Sequence, residues 1–433
     1  MKTSKFQLII FIVFILFIAA GVAAFATYKG SSSGSQLPTI TVWGTFPKDV
    51  FDQYVIQVGN SLSSPISVKY VQESPDAFLQ DFISALARGA GPDAVLIPAD
   101  MILPAEDKLV PIPYSALPQA SFKSAYIDES FVYLGSNGVM AVPFAVDPIV
   151  MYWDRDMFDA AGIASPPKYW DDFANAIKKI TVKNENGTVT RSAVAMGDFT
   201  NVVNARELLG SLFLQLGNPI TVQASDGSVS SALKTSAKAD PTPALQFFAG
   251  FVDPTSDYYS WNRSWPDSKT AFLAGSLATY FGFASELADI RSKNPNLNFD
   301  VTALPEARSG GTTAVYGKLY GFSLVKASPN NNAAYEIIST LTMPQYLVKV
   351  SDAMYLPSVS RDVIASGSTD QYITIFNQAA LISRTWLDAD PAKSGQIFGS
   401  MVQAVVSGQR SASQAVSDAG NQYDAVLRQA TGQ

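Results

Sequence analysis

Three short stretches carry side chains suited to holding a small polar molecule: Trp43-Gly44-Thr45, Gln72-Glu73 and Pro98-Ala99-Asp100. An indole offers a broad face at low entropic cost. A carboxylate accepts strong hydrogen bonds from ligand donors. A second group, Tyr258-Tyr259-Ser260-Trp261-Asn262-Arg263-Ser264-Trp265, is the densest aromatic run of the chain outside its N-terminal segment. Such rings either stack on a flat ligand face or fill a packed loop. For the first group the competing reading is that Trp43 is core and that Glu73 and Asp100 cap loops or helices.

The elements around these residues decide between the readings. Residues 38–43 alternate as a strand does, and Ile66–Val71 and the unbroken apolar run Ala94–Ile97 are two more. Between them, Val50, Phe51, Tyr54, Val55 and Val58 recur on one helical face. Phe78, Leu79, Phe82, Ile83 and Leu86 do so on another, closed by Gly89. This is β-α-β-α-β, hence a parallel sheet flanked by helices. Ligands bind beyond the carboxyl ends of such strands, where Trp43, Glu73 and Asp100 all fall.

Composition removes several chemistries. The 433 residues contain no Cys and no His. Cys or His nucleophiles, Ser-His-Asp triads and nearly all zinc sites are excluded. There is no Asp-x-Asp-x-Asp-Gly loop for calcium and no G-x-x-x-x-G-K-[ST] loop for nucleotide phosphates. No cofactor or metal is expected. The net charge of −7 argues against nucleic acid as a partner.

Residues 139–173 read as a passage between two units. Val139–Val142 is an apolar strand expected to end at Pro143. A second apolar run, Ile149–Trp153, leads to a helix on Met157 and Phe158 that stops at Gly162. Ser165 stands where an N-cap belongs, and Tyr169, Phe173, Ile177 and Ile180 predict a helix over 167–180. Further on, a polar hairpin at 183–187 and a short strand at 193–196 are expected. A helix at 205–216 carries Leu208, Leu209, Leu212 and Leu216, and a surface turn has Asp226-Gly227 at its tip. Strands follow at 277–281, 299–304 and 312–325, and the last ninety residues are mostly helical. No internal repeat is evident.

Lys2 and Lys5 precede an apolar stretch, Leu8–Ala26, long enough to span a bilayer. Ala24-Phe25-Ala26 is also an A-x-A cleavage pattern. An uncleaved anchor over 1–29 is favoured over a cleaved signal, with 30–37 as a flexible tether. Either reading exports the remainder.

Several of these residues resemble a known family. Pro143-Phe144, Met151-Tyr152-Trp153-Asp154-Arg155-Asp156-Met157-Phe158, Ala161-Gly162-Ile163, Pro166-Pro167 and Trp170-Asp171-Asp172-Phe173 resemble its "P-[YF] … YYNKDLF … AGL … PPTWDEL" pattern. Ala271-Phe272-Leu273-Ala274-Gly275, Tyr316-Gly317 before Leu319-Tyr320-Gly321-Phe322, Ala333-Ala334-Tyr335-Glu336 and Tyr355-Leu356-Pro357 match further segments. On these grounds residues 38–430 are similar to the sugar-binding class (family 1) of extracellular solute-binding proteins of ABC importers, the group that includes maltose-binding protein. Trp153-Asp154 departs from the family's Tyr-Asn, Pro167-Lys168-Tyr169-Trp170 carries one extra residue, and the lipobox Cys is missing.

The resemblance implies an α/β, two-lobed periplasmic-binding-protein-like fold (type II) with a ligand cleft at the hinge. Lobe 1 would be 38–145 plus 304–343, and lobe 2 would be 146–303 plus 344–433. Ligand contacts carried over by position are Trp43, Gly44, Thr45, Glu73, Asp100, Asp147, Tyr280, Phe283, Tyr316, Gly317, Tyr355 and Trp386. The first hinge would lie at Phe144–Pro148, with Asp147 at the cleft floor and Trp170 in the core of lobe 2. The implied protein is a monomer that captures a mono- or oligosaccharide outside the cytoplasm and delivers it to membrane permeases. Aromatic faces would stack on pyranose rings while carboxylates bind vicinal hydroxyls. The alternatives are a surface adhesin without transport and a glycoside hydrolase, which needs paired carboxylates. Few Arg or Lys stand among the candidates, which disfavours a phosphorylated ligand. A peptide or a cationic ligand such as a polyamine stays open.

Overall fold

A computed structural model describes residues 39–62, 66–224, 227–234, 240–308 and 311–431. The expected anchor at 1–29, the tether at 30–37 and Asp226 lie outside those residues. Among the described residues no helix is long and apolar enough to cross a membrane.

The strands in chain order are β1 (Ile40–Gly44), β2 (Val68–Gln72), β3 (Ala94–Pro98), β4 (Leu109–Val110) and β5 (Val142–Asp154). Two hairpins follow, β6 (Val182–Lys183) with β7 (Val189–Arg191), and β8 (Thr221–Gln223) with β9 (Val229–Ser231). The remainder are β10 (Thr279–Phe283), β11 (Phe299–Thr302), β12 (Val315–Val325) and β13 (Ser383–Arg384).

The first unit forms as its periodicity predicts. β1 pairs in parallel with β2 on one side and β3 on the other. The connecting helices, Lys48–Gly59 and Phe78–Ala87, bury Phe51, Tyr54 and Val58, and Phe78, Phe82 and Ala85. All five residues of β3 are buried, as a central strand covered on both faces requires.

Residues 139–173 depart from expectation at two points. Pro143 does not end a strand: β5 continues through it to Asp154. Pro143 stands opposite Gly321, beside a register irregularity between Tyr320 and Gly321. There the ladder dispenses with the missing N–H. Nor does Ser165 cap a helix. The chain stays irregular to Tyr169, turns through Trp170–Asp172, and only then forms the helix Phe173–Ile180. The preceding helix, Arg155–Ala160, is capped instead by Asp154, whose Oδ1 accepts from Met157 N at 2.9 Å. Gly162 closes it at φ +64°, a conformation glycine adopts freely.

β5 has two sets of partners. Val142–Pro148 pair antiparallel with β12, whose other side pairs with β3. Ile149–Asp154 pair with β10 and β11. One strand therefore leaves the first sheet neighbourhood and enters the second at Pro148–Ile149. β13 runs parallel to the start of β12 at Val315 and Tyr316, so a third chain segment reaches this crossing.

Residues 193–196 are buried but build no ladder; only the bridge between Ser192 and Leu277 stands beside them. The C-terminal region is helical as expected. Its first part, however, packs differently from the expected boundary at 343/344. The helix Pro344–Met354 lies on Lys48–Gly59, and Arg361–Ala365 lies on Gln119–Ala125. The buried face Tyr346, Leu347 and Val350 needs an apolar partner. The helix beside β1 supplies it.

Candidate functional site

On β12, side chains alternate between faces. Tyr316, Lys318 and Tyr320 share one face; Gly317 and Leu319 share the other. Directly across the ladder, Lys318 stands opposite Asp147 of β5. Asp147 is 7% exposed, and its Oδ1 accepts from Ser285 N at 3.0 Å. Burial pushes its carboxyl up to about 6, against the Ser285 hydrogen bonds and the Lys318 charge.

The helix Ala205–Gln215 brings the next group. It begins after Asn204, which holds φ +59°. The Asn204 amide donates to Phe281 O at 3.3 Å and to Glu286 Oε1 at 3.2 Å, which fixes that left-handed turn. Arg206 follows and is 8% exposed. Its Nη2 lies 2.5 Å from Asp388 Oδ2, and its Nη1 lies 3.0 Å from Glu207 Oε1 and 3.7 Å from Asp100 Oδ2. Asp100, in the turn after β3, thus meets Arg206 from the other sheet neighbourhood. Burial raises the Asp100 carboxyl, while Arg206 and then Lys318 oppose that shift.

The guanidinium of Arg206 lies 4.9 Å from the centre of the Trp386 ring. Trp386 is itself buried, with the Tyr316 ring 4.9 Å away. Gly210 permits this packing, because a Cβ there would come within 2.8 Å of Trp386 Cη2. Phe283 closes the group, 6.2 Å from the Tyr316 ring and 5.2 Å from Lys318 Nζ.

Two polar atoms in this cluster are buried without a hydrogen-bond partner, Tyr316 Oη and Arg206 Nε, whereas the Trp386 indole is within reach of the Tyr423 phenol. Leaving such an atom unpaired costs about 1–3 kcal/mol. Together they mark a place where an external polar molecule completes the bonding.

The expected site residues separate into two sets. Asp100, Asp147, Phe283, Tyr316 and Trp386 come together. Thr45 adjoins them through the Tyr320 phenol. Trp43 is half-buried against the core. Gly44 serves packing, since a Cβ there would meet Tyr70 Oη at 2.6 Å and Leu96 O at 2.8 Å. Glu73 sits at the same sheet edge, but burial and then Asp81 are what raise its carboxyl. Tyr280 faces away and donates to Glu286 Oε2 at 2.8 Å. Gly317 lies on the opposite face of β12, where a Cβ would meet Glu129 Oε1 at 2.8 Å. Tyr355 ends the helix Pro344–Met354 at φ +53°.

Sequence reasoning missed Arg206, Glu207, Lys318, Tyr320 and Asp388. Arg206 was legible as a charge three residues before Leu209 on a buried helical face. Lys318 and Tyr320 were legible by alternation with Tyr316. Lys318 and Arg206 also overturn the expectation of few cationic groups at the site. Arg206, however, is already shared among carboxylates. No group of three or more Asp or Glu among the described residues is arranged to hold a metal ion.

Two cavities lie outside the cluster. One of 210 Å³ opens between Ile102, Leu103 and Met140 on one side and Gln223 and Leu387 on the other. A larger one, 830 Å³, lies elsewhere, between Gly197–Thr200 and the helix Pro391–Val406. Its charged residues, Asp198 and Arg263, pair with each other at 3.0 Å.

Residues 59–377 match the family described as bacterial extracellular solute-binding protein. A chain of Brucella abortus named as a putative binding protein is 20% identical over 422 residues, 95% of this chain and 98% of its own length. The cyclic alpha-maltosyl-1,6-maltose binding protein from Arthrobacter globiformis superposes with a TM-score of 0.72. It is 18% identical, covering 90% of this chain and 99% of that one. The sugar-binding protein MalE from Xanthomonas citri gives 0.71 at 18% identity, covering 90% and 98%.

Proposed function

We propose, for a chain that belongs to the bacterial extracellular solute-binding protein family, that it captures a mono- or oligosaccharide between two lobes and delivers it to ABC permease subunits in the membrane. The observation that carries this reading is the pair of buried, unpartnered atoms Tyr316 Oη and Arg206 Nε beside Asp100 and Asp147. Saccharide hydroxyls both donate and accept, so one ligand can satisfy phenol, guanidinium and carboxylates together. The sugars named for the structural relatives support the same class.

The protein acts by binding rather than by turnover. The lobes pivot where β5 changes partners, at Pro148–Ile149, with β12 and the segment before β13 as further crossings. Lobe 1 comprises about 38–145 and 304–343, joined by residues 344–365 through their packing; lobe 2 comprises about 146–303 and 366–433. Closure brings Asp100 toward Arg206 and excludes water from the ligand's hydrogen bonds. The chain works as a monomer outside the cytoplasm, tethered by its N-terminal segment.

The test is a thermal-shift screen of residues 31–433 against mono- and oligosaccharides, polyamines and phosphates. A ligand at 100 times its dissociation constant adds about 2.7 kcal/mol of stability. Stabilisation by at least one saccharide, without its breakdown, is the expected result. A melt shifted only by cations or phosphates removes the sugar reading, and turnover of a glycoside removes the binding-only one.

A further inference from the structure

The acidic groups of the site pose a question of selectivity. Asp100, Asp147 and Glu207 converge on one region, and such an array attracts cations such as polyamines as readily as it binds hydroxyls. Arg206 answers only part of this charge, because Asp388 and Glu207 are its nearest partners.

Lys318 stands at the centre of what remains. It extends from β12 directly opposite Asp147, on the face that carries Tyr316 and Tyr320. Its Nζ lies 5.2 Å from the Phe283 ring centre. The Tyr320 phenol holds the ammonium above the usual lysine range. Burial opposes this, while Asp100, Glu207 and Asp147 add to it. Yet among the described residues Lys318 forms no ion pair with any of these acids, whereas Arg206 forms three contacts. Its charge is shared over the array instead of being spent on one partner. An ammonium placed this way occupies the position that an incoming amine would take.

We propose that Lys318 sets the charge selectivity of the site: it is a built-in cation that excludes amines and polyamines and leaves the pocket to uncharged polyhydroxyl ligands. This rests on the site assigned under Proposed function, though not on the ligand being a sugar. A specificity element of this kind works by repelling the wrong ligand rather than by tightening the right one. Like charges held close in a partly buried site are strongly unfavourable. An anionic ligand gains little in exchange, since the carboxylates around Lys318 outnumber the free cation.

The experiment compares wild type, Lys318→Met and Lys318→Arg by calorimetric titration with spermidine and, separately, with maltotetraose. Circular dichroism and melting curves report the fold. Wild type and Lys318→Arg are expected to ignore spermidine. Lys318→Met is expected to bind it at least tenfold more tightly than wild type does. Spermidine binding by wild type equal to that of Lys318→Met overturns the proposal. A folded Lys318→Met that still ignores spermidine also overturns it. If Lys318→Met does not fold, Lys318→Gln carries the comparison; failure of both to fold overturns it by giving Lys318 a structural role. Maltotetraose reports on the sugar reading alone. A spermidine response gained by Lys318→Met, with no saccharide of the thermal-shift panel bound by any variant, leaves this proposal standing and removes that one.

Discussion

Two sets of buried aromatic side chains differ in one respect. Around β10 and the 197–265 region, the polar tips find partners within the fold. Trp170 Nε1 donates to Gln215 at 2.6 Å, Trp261 Nε1 to Asn201 at 2.8 Å and Tyr280 Oη to Glu286 at 2.8 Å. Around the β12–β5 crossing, Tyr316 is equally buried, but its Oη has none. Composition and burial do not distinguish the sets; hydrogen-bond completion does. Aromatic density in the sequence therefore points as readily to packing as to a ligand. The Tyr258–Trp265 run illustrates this: Trp261 is fully buried and stacks on Trp265 at 4.9 Å.

The largest test of that contrast is Trp261→Ala. It empties a packed position and strands Asn201, so the expected loss is about 3–5 kcal/mol of stability. At a temperature where the variant is folded, ligand affinity should match wild type. A large affinity loss would place Trp261 in the site and break the comparison.

Buried carboxylates offer the same contrast. Asp388 is fully buried but accepts from Arg206 and Ser394. Glu129, behind Gly317, accepts from Ser383 through one oxygen while the other has no partner. Burial pushes its carboxyl up to about 8, against the Ser383 hydrogen bond and Arg384. The fold thus prefers the protonated acid. As pH rises above the ordinary value of 4.5, the unfolded chain loses this proton first. Stability falls from there until about 8 and then levels. The Glu129 contribution to the slope is about 1.4 kcal/mol per pH unit. Denaturant titrations of Glu129→Gln should lack that slope across the window. An unchanged slope would show that Glu129 is ionised in the fold.

Much of the architecture was legible because local pattern and burial agree. The β-α-β-α-β start, the Gly162 stop and most later helices follow directly from periodicity. Pro143 was misread because a bulge lets a strand continue through proline, and a bulge depends on the partner's register. The site was half legible. Asp100, Asp147, Tyr316 and Trp386 converge, but Tyr280 does not, because its strand turns that phenol toward Glu286. Arg206 was hidden among leucines on a helix whose buried face looked purely apolar. Lys318 was hidden because a lysine in a strand ordinarily reads as solvent-facing. Spacing alone puts each on a face shared with buried neighbours, but their roles follow only from the acids that lie across the crossing.

A conservative pair of substitutions gives the smaller and sharper tests. Tyr280→Phe removes the hydrogen bond to Glu286 and leaves a partly buried carboxylate oxygen less satisfied. The expected cost is about 1–1.5 kcal/mol of stability with ligand affinity unchanged. Tyr316→Phe removes a hydroxyl that has no partner in the fold. Its effect on the unliganded melt should be close to zero or slightly stabilising. Affinity should nevertheless fall about tenfold, the worth of roughly 1.4 kcal/mol of ligand hydrogen bonding. Calorimetric titration and melting of both variants decide the matter. A Tyr316→Phe that melts early while binding normally would mean that its phenol completes the fold, as that of Tyr280 does.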